Sequence, residues 1–190
     1  MAYRRYWDFY RSIEDDLIAA SRYVELVKSN FRCYSVEFSR ILIAAGSELD
    51  MVFKELCEKI SPGKDPKNIK GYYPIITSKF KDFVKIKRNV RNYEIPLQPF
   101  RTWTPEKSPS WWGKGFDEVK HKRNVAFGEA NLKNTLNAVA GLSIALYRYY
   151  LLVEGEKGEF AFVDLPRLMV PVTKTNQDLY PTPLLMSWER

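Results

Sequence analysis

FSRILIAAGSELDMVFKELCEKI, residues 38–60, decides the fold. Phe38, Leu42, Ala45, Leu49, Val52, Leu56 and Ile60 recur at steps of three and four, which places them on one face of a helix. Ser35 stands where an N-cap belongs, and Ser61-Pro62-Gly63 ends the pattern because proline cannot continue a helix. A helix of this length with one apolar stripe must bury it against other helices.

Toward the N-terminus the same alternation runs through Tyr6, Tyr10, Ile13, Leu17, Ala20, Val24, Val27 and Phe31. One long helix over 6–31 is expected, antiparallel to the helix after it, with Glu14, Asp15, Arg22, Glu25 and Lys28 facing solvent. Toward the C-terminus, Asn68 is a cap for a shorter helix over 69–83, with Pro74 near its start. From 84 to 100 helical periodicity gives way to β-branched residues, asparagines and prolines, and an irregular arm with a small hairpin near 87–92 is expected. Asn131 opens a last helix with Leu132, Leu136, Val139, Leu142 and Leu146 as its stripe. Ala138, Ala140, Gly141 and Ala145 keep that helix thin enough for the centre of a bundle. Residues 159–190 have four prolines and no helical period, yet are too apolar to stand free, so they should wrap the bundle or pair with another chain.

These elements predict one all-α domain over 1–190: an up-and-down bundle of four to five helices with its core in 5–152, an irregular arm, and a non-helical tail over 153–190. At 190 residues with 45% apolar and 15% aromatic side chains, the chain suffices for one filled core. The first residues carry acids where a secretory signal needs an apolar run, and Arg148 interrupts the longest apolar stretch, so a cytoplasmic protein that does not enter a membrane is expected. Cys33 and Cys57 have no CxxC spacing, which leaves no disulfide framework or zinc site; both are expected in helices as small, reduced core residues.

The stretch 110–123, SWWGKGFDEVKHKR, gathers the chemistry. It holds two tryptophans, Lys114, Lys120, Lys122, Arg123 and His121, the one histidine of the chain. With Ser110 as cap, one helix would put Trp112, Phe116 and Val119 inward and Asp117 beside His121, four positions apart. An imidazole among cations is able to act as general acid or base in phosphodiester cleavage, with Arg123 and Lys120 steadying the charge of the transition state. Asp117 would orient the ring, and Glu48 or Asp50 in the second helix would face it. The same spacing also describes an ordinary surface pair, and Glu48 and Asp50 an ordinary helix flank. A tryptophan pair before a helix commonly anchors it to the core; the alternative is a base stacked on Trp111.

A net charge of +7 favours phosphate-bearing partners when it is concentrated, and between 79 and 91 six basic residues, Lys85, Lys87, Arg88 and Arg91 among them, stand against the single acid Asp82. The alternative is a solvated basic edge. Glycine-rich phosphate loops, GxSxG and HExxH are absent, and one histidine cannot build a multi-histidine metal centre, so no cofactor and no metal is expected.

The residues Trp111, Trp112, Phe116, Asp117, Val119, Lys120, His121 and Arg123, with Ala130-Asn131-Leu132 and, in the second helix, residues 46–50 and Leu56-Cys57, resemble bacterial members of the HEPN-like superfamily over 36–152. That resemblance implies an all-α bundle that binds RNA or nucleotides, a homodimer, and a toxin–antitoxin or phage-defence setting, in some members with metal-independent ribonuclease activity. Catalytic members pair an arginine with a histidine four to six residues later. Here the places after Arg123 hold Phe127, Gly128, Glu129 and Ala130, and Lys114 stands where an arginine would precede His121. A ribonuclease, a degenerate RNA- or nucleotide-binding module, and a non-catalytic homodimeric scaffold therefore all remain open.

Overall fold

The computed structural model describes residues 4–93, 95–154 and 166–172. Its long elements are helices α1 (Arg4–Ala20), α2 (Val36–Ile60), α3 (Ile69–Lys79) and α6 (Leu132–Glu154), with two single-turn helices, α4 (Glu118–His121) and α5 (Arg123–Ala126), between them. A small sheet is added by β1 (Arg88–Val90), β2 (Ile95–Leu97) and β3 (Met169–Pro171), in the order β2-β1-β3 with both pairings antiparallel. The molecule is thus the expected helical bundle with a sheet on one side.

Helices α2 and α6 are its axis. The Ser35 hydroxyl accepts from Phe38 N at 3.0 Å, and Asn131 caps α6 by accepting from Asn134 N at 3.0 Å. Leu42, Ala45, Leu49, Val52, Leu56, Leu136, Val139, Leu142 and Leu146 are fully buried. Apolar enough over 132–153 to cross a membrane by length and composition, α6 has 72% of that window buried inside the protein. Around the axis, Phe53, Phe83, Phe100, Trp103 and Trp112 form one aromatic cluster, in which Phe53 stacks on Trp103 at 5.3 Å.

Several expectations are corrected. The first helix ends at Ala20, where the Ser21 hydroxyl takes up Ile18 O and competes with the helical bond. Beyond it Leu26, outside the expected stripe, is the fully buried residue. Glu14 is not solvated: it is fully buried and accepts from Tyr10 Oη and from the backbone N of Arg167, Leu168 and Met169 at 2.7–3.1 Å. This carboxylate holds the C-terminal strand, so residues 166–172 pack on their own chain; the tail beyond 172 lies outside the described residues. Helix α3 stops at Lys79, and Phe83 enters a separate turn of 3-10 helix. Cys57 is buried as expected, whereas Cys33 is exposed and lies outside any helix.

Residues 110–126 are not one helix. Trp111–Asp117 form a wider π-helical segment, which runs into α4; Lys122 breaks the chain at φ −136°, and α5 follows. Ser110 has helical dihedrals and does not cap by its side chain. The π-helical segment seats itself where α2 is thinnest. A Cβ on Gly46 would lie 2.3 Å from Phe116 Cδ2, so only glycine lets that ring reach the α2 backbone.

Candidate functional site: a basic groove

Two indole bonds fix the segment between the sheet and the π-helix. Trp103 Nε1 donates to Ile69 O at 3.0 Å and Trp111 Nε1 donates to Pro99 O at 2.9 Å. With residues 98–111 held there, a groove opens between them, the turn around residues 28–32, and the first turns of α6. Its volume is about 570 Å³. Lys28, Arg32, Arg101, Lys114 and Lys133 line it, with Ser29, Phe31, Gln98, Thr102, Asn131, Asn134 and Asn137 between them. Along α6, residues 131, 134 and 137 follow at steps of three, a polar stripe turned away from the buried Leu132, Leu136 and Val139.

The electrostatics are one-sided. The single acid on the groove, Glu129, accepts from Asn134 Nδ2 at 3.1 Å. None of the five cations forms an ion pair or a side-chain hydrogen bond with a described residue. Five unpaired positive charges facing one cavity repel one another unless an anion neutralises them.

The residues expected from the sequence divide into several places. Lys114 lines the groove, and Lys87 lines its continuation. Trp111 also touches the groove, but at 3% exposure its ring is core and offers no platform for a base, which corrects the stacking alternative. Arg88 is not a surface cation. It is 3% exposed, its Nε donates to Ser143 Oγ at 3.3 Å, and its guanidinium lies 5.9 Å from the Tyr147 ring centre. Alternation along the arm explains this, since Ile86, Arg88 and Val90 point inward while Lys85 and Lys87 point out. Arg91 is spent on the tail, donating from Nη2 to Pro166 O at 3.2 Å.

His121, Lys122 and Arg123 are exposed, and Lys120 lies over the Phe116 ring at 5.2 Å. None of the four lines the groove. Burial pushes the Asp117 carboxyl upward, His121 and Lys120 pull it down, and Asp50 adds to the rise. The carboxylate facing this flank is therefore Asp50, which also accepts from Tyr72 Oη at 2.8 Å. Glu48 is buried on another side of α2, where its charge is felt by Tyr6 of α1. Two positions apart on a helix are about 200° apart, so the two acids cannot share a face.

Lys28, Arg32, Arg101 and Lys133 escaped the sequence reading. They are isolated along the chain, and the fold alone assembles them; the polar stripe of α6 was the one local signal. Among the described residues no group of three or more His, Cys, Asp or Glu is arranged to hold a metal ion. Comparisons with known protein families, with curated proteins and with solved structures give no match for this chain.

Proposed function

We propose that this chain is a HEPN-like protein that binds RNA or nucleotide phosphates, and that the groove of Lys28, Arg32, Arg101, Lys114 and Lys133 is where it does so. The observation that carries the reading is the convergence on one cavity of five cations without acidic partners among the described residues. Phosphate oxygens supply the missing charge, and the counterions released from the nucleic acid add to the affinity. Fluorescence anisotropy of a labelled RNA oligonucleotide tests it. Affinity should fall steeply between about 50 and 200 mM salt, and Arg101→Ala with Lys133→Ala should lower the slope of log K against log salt by about 1.4, at about 0.7 for each phosphate contact on a single strand. Binding indifferent to salt sinks the reading.

Ribonuclease activity is an extension that draws support from exposed His121 one turn from Asp117. In it the imidazole removes the proton of a ribose 2′-hydroxyl, which attacks the adjacent phosphorus, and returns that proton to the departing 5′-oxygen, while Lys122 and Arg123 neutralise the phosphorane. Metal-free cleavage of mixed RNA by wild type, lost in a folded His121→Ala variant, supports the extension; intact RNA with both proteins removes it. A homodimeric scaffold is the second reading, favoured by exposed Tyr34, Val36 and Val125. Sedimentation of the purified protein distinguishes dimer from monomer.

A further inference from the structure

We infer that the site is a track for an extended single-stranded nucleic acid rather than a pocket for one nucleotide, entering at Lys114 and leaving at Lys85; this rests on the phosphate-binding reading above. The groove does not close on itself. A second hollow of about 310 Å³ shares Phe31, Gln98, Arg101, Lys133 and Asn137 with it and reaches Lys87. A third, of about 220 Å³, shares Lys87 and runs on to Lys85 and Val172. The cations are thus strung along a path and do not surround one point, as a single phosphate group would require. At the far end the one acid, Asp82, is already paired with Arg148 at 2.9 Å.

The groups between the cations suit bases. Half-buried Phe31 lines both larger hollows, at the place where a base on a single strand would stack. Gln98 Nε2 donates to Val84 O at 3.0 Å, and Asn137 Nδ2 donates to Lys133 O at 2.8 Å. With their amino groups so engaged, these two side chains offer their carbonyl oxygens, which accept from base amino groups. In an A-form duplex base pairing occupies those groups, and a duplex would not insert a base into hollows of this size.

Competition for a labelled RNA dodecamer by AMP, a dinucleotide, a hexamer, a duplex and a DNA dodecamer decides the matter. Affinity should rise about a hundredfold or more from AMP to the single-stranded hexamer, and the duplex should bind more weakly than the single strand. Lys85→Ala with Lys87→Ala, both exposed and outside the core, should lower the dodecamer's salt slope by about 1.4. Equal binding of the DNA dodecamer also supports the track, since phosphates and bases are its contacts. AMP as tight as the dodecamer, a duplex as tight as the single strand, or an unchanged slope in the double variant overturns it while leaving the phosphate-binding reading in place. No binding of any of these ligands sinks both.

Discussion

Glu48 is buried in α2 with no hydrogen-bonding partner among the described residues, and burial raises its pKa. A carboxyl raised in this way holds its proton more readily in the folded than in the unfolded chain. Ionisation therefore opposes folding, fully above the raised value, and the penalty is relieved as pH falls through it toward the ordinary glutamate range. Glu48→Gln should raise the Tm at pH 7 and change it little near pH 4; an equal gain at both pH values would show that charge is not the cause. The two cysteines differ as sharply. Burial pushes the Cys57 thiol up to about 12, so at neutral pH it stays protonated and inert, whereas Cys33 is exposed. A maleimide should modify one thiol per folded chain, at Cys33, and a second only in denaturant, which intact mass measures directly.

At the level of elements, the contact of the π-helical segment with α2 depends on one missing side chain. Gly46→Ala would drive a methyl into the Phe116 ring, so the segment must retreat or the ring must leave its rotamer, at a cost of about 1–3 kcal/mol. Chemical denaturation should read that loss with an unchanged m-value. How far each element is legible in the sequence follows from what shapes it. Helices α2 and α6 declare themselves through apolar periodicity and through Ser35 and Asn131, because caps and stripes are local. The end of α1 does not, since Val24, Val27 and Phe31 prolong its stripe by accident while Ser21 stops the helix. The π-helical segment has a helix's apolar spacing, and only packing against Gly46 widens it. Lys114 and Lys87 were legible as basic residues, but Arg88 was misassigned by counting charge without the period of the strand. The opposite wall of the groove, from Lys28 and Arg32 to Lys133, exists only once α6 has crossed α2, and no short stretch encodes it.

For the whole molecule, one aromatic cluster ties α2, α3 and the segment from 98 to 116 into a single core. Unfolding should be one cooperative event, with tryptophan fluorescence reporting the cluster and far-ultraviolet circular dichroism reporting the helices at the same denaturant midpoint. Separate midpoints would mean that the sheet side melts apart from the bundle. The order β2-β1-β3 has a bearing on biosynthesis. Arg88 pairs with Leu97 on one edge of β1 and with Pro171 on the other. A hairpin emerging from the ribosome thus waits with a bare edge while α6 is translated, for on the order of ten seconds at ordinary elongation rates. Throughout that interval the nascent chain carries an adhesive strand, guarded by the outward Lys85 and Lys87, and Glu14 keeps only its partners within α1, Tyr10 and Arg11, until Arg167 arrives. Nascent chains halted before that point would be the ones that need a chaperone.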